Sequence, residues 1–236
     1  MKKGLEVSSH RSIARDLVCV ILFAVLPLLQ GCFFGTFQSA RTVGRGKTSG
    51  TIFLNLPTYV SEKDRKSAKR DNYSPPITAG ALYQVGVSDN ADFGVQVIQY
   101  GLGVNGKVKF ALNGMPVDFA VAPSVTYLFG RAQLSPMVAG IVGKTWGDLD
   151  IYAGLNGAYG PDWRERRKGV SFSDLPTRVT WALFAGTKVS VSGEAQLNPW
   201  LPKSLVFELG VPLDIKYNLI YFGVGVGGFS GLKLPF

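Results

Sequence analysis

The chain has 236 residues, of which 46% are hydrophobic, 12% aromatic and 17% charged, with 29 glycines and a formal net charge of +9. Aromatic and apolar content of this size excludes an intrinsically disordered chain, and the charged fraction falls well short of the roughly 25% usual in soluble domains. The single histidine, His10, and both cysteines, Cys19 and Cys32, lie in the first 32 residues. Processing just before Cys32 would leave no histidine and one cysteine, which excludes an internal disulfide, a Cys/His zinc site and any His-dependent triad.

Met1 to Asp16 carries Lys2, Lys3, Arg11 and Arg15 against Glu6 and Asp16, and Leu17 to Leu29 follows as an apolar run of thirteen residues. A spanning helix needs about 20 such residues, so the run is too short, and Pro27 interrupts it. A positive start, a short apolar core and a small-residue exit read as a secretory signal. The exit, Leu29-Gln30-Gly31-Cys32, resembles the bacterial lipobox. The resemblance implies cleavage between Gly31 and Cys32, a diacylglyceryl group on the Cys32 sulfur, and an N-acyl chain such as palmitate on the freed amine. Those covalent lipids are expected to anchor the protein at about 0.8 kcal/mol per buried methylene. No other cofactor and no metal is expected. Phe33, in place of the Asp that retains such proteins in the inner membrane, implies the outer membrane. The division expected is a signal at 1–31, a lipidated leader at 32–46 lying on the periplasmic side, and a barrel at 47–236.

Beyond Gly46 no stretch holds a helical period. Segments of about ten residues alternate in period two between turn residues. Ten strands are predicted: Lys47–Tyr59, Ile77–Ser88, Ala91–Gly101, Lys107–Asn113, Val117–Phe129, Leu134–Trp146, Asp148–Tyr159, Arg178–Val191, Ser204–Val211 and Asn218–Phe229. Eight or twelve stay open because Gly193–Lys203 is ambiguous. One face of these strands is bulky and apolar: Phe93, Val95 and Val97 in the third, Leu149, Ile151 and Leu155 in the seventh. The other is small or polar, as in Asp92, Gly94 and Gln96, or Asp150, Tyr152 and Asn156. Phe184 breaks the rule in the eighth.

The fold class expected is all-β, an antiparallel up-and-down transmembrane barrel with apolar groups towards lipid and polar groups towards the lumen. Four features favour the membrane version. Most strands reach the length a tilted spanning strand needs. Short connections after even-numbered strands alternate with long loops at Val60–Pro76 and Gly160–Thr177. Tyr59, Tyr100, Tyr127, Tyr159 and Tyr217 fall near one set of strand ends, where a girdle would lie. The terminal Phe236, with Leu232 and Leu234 at two-residue steps before it, is similar to the signal read by the barrel-assembly machinery. Lipobox, alternation and Phe236 together resemble the small outer-membrane β-barrel lipoproteins of Gram-negative bacteria. The resemblance implies the lipoprotein-processing and barrel-assembly machineries as partners in biogenesis.

Two G-x-G-x-x-G matches, Gly101/Gly103/Gly106 and Gly223/Gly225/Gly228, lack the following helix that a dinucleotide site requires. Asp118, Asp148, Asp150, Glu194, Glu208 and Asp214 form no convincing catalytic pair, so no enzyme is expected and no catalytic residue is named. Removal of four basic and two acidic signal residues takes the charge from +9 to +7. Much of it sits in the two long loops, at Lys63, Arg65, Lys66, Lys69 and Arg70 and at Arg164, Arg166, Arg167 and Lys168. Facing outwards, these could contact lipopolysaccharide phosphates, whereas nucleic acid is not expected as a partner. A structural or surface-interaction role in the cell envelope is expected first. A narrow pore for small solutes and a periplasmic lipid-anchored β-domain are the alternatives.

Overall fold

The computed structural model describes residues 36–110, 115–191, 201–213 and 216–229. Cys32, Gly31, the apolar run and Phe236 lie outside the described residues. Ten strands of 8 to 14 residues follow one another in chain order. They are β1 (Thr48–Tyr59), β2 (Thr78–Ser88), β3 (Ala91–Ile98), β4 (Gly101–Phe110), β5 (Asp118–Leu128), β6 (Gln133–Trp146), β7 (Leu149–Pro161), β8 (Thr177–Ser190), β9 (Ser204–Pro212) and β10 (Leu219–Phe229). Each pairs antiparallel with its sequence neighbours, and β1 pairs with β10, so the sheet closes into a barrel with no free edge. The strand count settles at ten. β8 and β9 bond directly from Ala182–Pro212 to Ser190–Ser204, so no strand lies between them.

The largest departure from the predicted strand starts is at β4. β4 starts at Gly101, and the turn before it is confined to Gln99 and Tyr100. Its glycines are not turn residues: Gly101 and Gly103 occupy alternate inward positions beside Asn105, while Leu102 and Val104 face out. A Cβ at Gly103 would lie 2.5 Å from the Val125 carbonyl oxygen, so the small residue lets β4 and β5 approach.

The alternation resolves as polar inside and apolar outside. Asp92, Gln96, Asn105, Lys107, Asp150, Asn156 and Glu208 are buried, whereas Phe93, Val95, Val97, Leu102 and Ile151 are exposed, Phe93 at 53%. This inverts a soluble barrel. Exposed aromatics gather in two bands, Phe93, Phe110, Phe119 and Trp146 towards the short-turn end and Tyr127, Phe129, Tyr159 and Trp181 towards the long-loop end. The predicted single girdle needs correction: only Tyr127 and Tyr159 of the five tyrosines stand on the outer face. Tyr59 packs inward, Tyr100 stacks on Phe172, and Tyr217 is buried against Tyr73. Strand-end position alone does not say which way a ring points.

Phe184, the residue that broke the pattern, projects into the lumen opposite Gly154, its partner across β7–β8. A Cβ at Gly154 would fall 2.4 Å from its Cζ, so the glycine makes the space the ring fills.

At the long-loop end the loops fold over the mouth. The loop after β1 holds the only described α-helix, α1 (Glu62–Arg70), whose start is capped by Ser61 accepting from the Asp64 N–H. Ala68 of α1 packs with Tyr73, Trp163, Leu175, Tyr217, Leu219 and Tyr221 into an apolar cap. Arg131 pins the β7–β8 loop by donating to the Phe172 and Leu175 carbonyls and to Thr177 Oγ1.

Candidate functional site

The leader was expected on the periplasmic side of the barrel, but its first described residues, Thr36 to Ala40, run inside the barrel. Thr36 to Ala40 are buried, with Thr36 and Ala40 each 1% exposed. The physical reason is a set of charged and amide groups on the lumen wall that need partners, which an extended backbone supplies. Glu208, near the middle of β9, accepts from the N–H of Thr36 at 2.8 Å and of Phe37 at 2.9 Å. Tyr152 on β7 donates its hydroxyl to the same carboxylate at 2.9 Å. The Phe37 ring stacks on Phe53 with centroids 4.4 Å apart.

Further along, Gln84 Nε2 donates to Gln38 Oε1 at 2.8 Å, and Ser39 Oγ donates to Asp150 at 3.1 Å. Lys107 and Asp92 form an ion pair at 3.1 Å with side chains 3% and 0% exposed. Both also hold the leader: Lys107 donates to the Arg41 carbonyl at 2.7 Å, and Asp92 accepts from the Val43 N–H at 3.0 Å. The segment then leaves at the short-turn end, where Thr42 Oγ1 donates to the Asp89 carbonyl at 2.6 Å, and enters β1. Two of the spaces left inside are an apolar void of about 50 Å³ beneath the cap and a polar cavity of about 440 Å³ at the short-turn mouth.

A steric test of this seating is available. A Cβ at Gly223 would lie 2.5 Å from Phe37 Cζ, and the nearest atom of any other residue is Asn55 Oδ1 at 3.3 Å. Gly223→Val is therefore expected to expel Phe37 while β10 still pairs. A cysteine placed at Gln38 should then react with a maleimide at least tenfold faster, and adding Phe37→Ala should return the rate towards that of the parent.

Sequence reasoning grouped nine basic residues as one outward surface, and the two loops that carry them do meet. Lys168 N–H donates to the Asn72 carbonyl, Ser74 N–H to that of Arg166, and Tyr73 bridges Arg167. Their charges are not equally available. Arg164 is held by Asp162 at 2.6 Å, Arg65 by Glu62 at 2.7 Å, Arg70 lies 3.6 Å from Asp71, and Arg166 sits over the Trp163 ring. Lys63, Lys66, Lys69, Arg167 and Lys168 form no ion pair among the described residues.

Asp71, the C-cap of α1, ties this surface to the β9–β10 loop, accepting from Lys216 Nζ at 2.6 Å and Tyr217 Oη at 2.7 Å. Those two donors, Lys216 foremost, lower its pKa to about 2 from an ordinary carboxylate value near 4. A depressed carboxylate pKa stabilises the folded loop above the ordinary value, and the contribution disappears as pH falls from about 4 through about 2. Pepsin cleavage in the 60–77 loop should accelerate across that window in the parent protein. Asp71→Asn should cleave a few-fold faster at pH 5 and lose most of the pH dependence.

The residues missed from sequence are Glu208, Tyr152, Asp92, Lys107 and Lys188, all inward positions whose only signal was a polar side chain on the small-residue face. Among the described residues no three His, Cys, Asp or Glu side chains converge as metal ligands. No protein-family model matches the chain, and a search of curated proteins finds no match, so its reading rests on this geometry.

Proposed function

We propose that the protein is an outer-membrane β-barrel lipoprotein with a structural or surface-interaction role in the cell envelope, its lumen closed by its own leader. The observation that carries the reading is the leader held inside the barrel by Glu208, Asp92 and Lys107 under a capped mouth. Occupation from within argues against the narrow-pore reading. A belt of exposed Ile52, Leu54, Val95, Val104 and Leu183 around a polar interior argues against a periplasmic β-domain, which would keep such groups from water. In this reading the long-loop end faces outwards, and Lys63, Lys66, Lys69, Arg167 and Lys168 meet lipopolysaccharide phosphates. Each exposed pair contributes modestly and is screened by salt.

Purified outer membranes, run unboiled and boiled on a denaturing gel, should show a heat-dependent mobility shift, and the full-length protein in planar bilayers should give no conductance steps. Absence of the shift would favour the tethered β-domain, and sustained steps the pore. The lipid anchor has its own test. Cys32 is four residues from Thr36, a reach of at most about 14 Å, so acylation and seating against Glu208 constrain each other. The mass of the mature N-terminal peptide should show cleavage before Cys32 and added acyl chains; an unmodified thiol would contradict the anchor.

A further inference from the structure

The cavity of about 440 Å³ at the short-turn mouth is not explained by closure of the lumen. Five basic side chains line it, Arg41, Lys47, Lys107, Lys188 and Lys203, against the single carboxylate of Asp150. Lys107 is committed to Asp92 and to leader carbonyls. Lys188 is not. It stands directly opposite Asp150 across the β7–β8 pair, an arrangement that ordinarily makes a cross-strand ion pair. Both Asp150 oxygens are taken by hydroxyls instead, Oδ2 by Ser39 at 3.1 Å and Oδ1 by Thr145 at 2.6 Å. Lys188 therefore borders the cavity with no hydrogen bond or ion pair among the described residues, feeling Asp150 and Asp92 as attractive charges at a distance and Arg41 as a repulsive one.

We propose that this mouth is a binding site for a phosphorylated sugar, whose phosphate is received by Lys188. The excess of ammonium and guanidinium groups selects an anion, and lysine is an established point-charge partner of phosphate. The volume lies within the range of small-molecule sites, far more than a bare phosphate fills. The remaining lining is polar, with the hydroxyls of Ser49, Thr51 and Ser190 beside the Gln38–Gln84 amide pair, which matches a polyhydroxyl body rather than an acyl chain or an aromatic ring. The site lies at the opposite end from the basic cap, and its occupation does not depend on whether the barrel conducts.

Isothermal titration of the full-length protein in detergent micelles tests this with glucose 6-phosphate, glucose and inorganic phosphate. Glucose 6-phosphate is expected to bind with a sub-millimolar Kd, at least tenfold tighter than inorganic phosphate, and glucose to give no measurable heat. Lys188→Gln should weaken glucose 6-phosphate at least tenfold while keeping the heat-dependent gel shift that reports a closed barrel, and Lys188→Arg should retain most of the affinity. No binding of glucose 6-phosphate, equal binding of inorganic phosphate, or unchanged affinity in a folded Lys188→Gln protein would each overturn the proposal.

Discussion

Glu208→Ala is expected to release the leader and convert a silent barrel into a conducting one. The carboxylate is 3% exposed and accepts from Thr36 N–H, Phe37 N–H and Tyr152 Oη, all within 2.9 Å. Each buried donor left without a partner costs about 1–3 kcal/mol, so a leader that stayed seated would lose about 3–9 kcal/mol over the three of them. Withdrawal into water restores those bonds and is the cheaper outcome. Planar bilayers should therefore show conductance steps for Glu208→Ala, absent from the parent, and Glu208→Gln, which keeps an acceptor, should fall between them. The same silent record for parent and Glu208→Ala, with the leader as protected as before, would mean that other contacts hold it.

Lys107→Met should be the most destabilising substitution in the wall. It strips the partner from Asp92, whose side chain is fully buried, and a buried charge left alone costs about 3–5 kcal/mol. The temperature at which the unboiled band converts to the boiled one should drop markedly. Asp92→Leu combined with Lys107→Met should recover most of the loss, because removing both charges also removes the cost of burying them. Recovery is expected to stop short of the parent, since the Val43 N–H and the Arg41 carbonyl lose their partners as well. A double variant no better than Lys107→Met would show that the pair matters through its leader contacts rather than through its charge balance.

The barrel was legible because period-two alternation survives along nearly every strand, and side-chain direction follows from it. Phe93, Val95 and Val97 could only share a face, and Asp92, Gly94 and Gln96 the other. The exceptions have local causes. Gly103 fell in the connection before Lys107 because glycine serves both turns and close strand approach, and only the Val125 and Thr126 neighbours decide between them. Phe184 read as a break because its matching cavity is made by Gly154, thirty residues earlier in the chain.

The interior was legible only in part. Glu208 was visible as a carboxylate with no nearby partner in sequence, and the groups that satisfy it are backbone N–H groups some 170 residues away, which no motif marks. The leader itself carries no alternation and little charge, so nothing in Thr36-Phe37-Gln38-Ser39 distinguishes a plug from a tether. Its burial follows from the demands of the wall, Glu208, Asp150, Asp92 and Gln84, rather than from its own composition. The basic loops were placed correctly at one end, yet which of their charges remain available depends on Glu62, Asp71 and Asp162, each holding a neighbour close in sequence.

Seating of the leader in the lumen is tested most directly by cross-linking Gln38 to Gln84, whose amides meet at 2.8 Å on opposite sides of the leader–wall contact. Gln38→Cys and Gln84→Cys together, treated in isolated outer membranes with a short bis-maleimide, should join leader to β2 in high yield and give a faster-migrating band after boiling. Each single variant should give none. A Gln38→Cys thiol that reacts freely with bulky reagents and never joins position 84 would place the leader outside the barrel and contradict closure of the lumen from within.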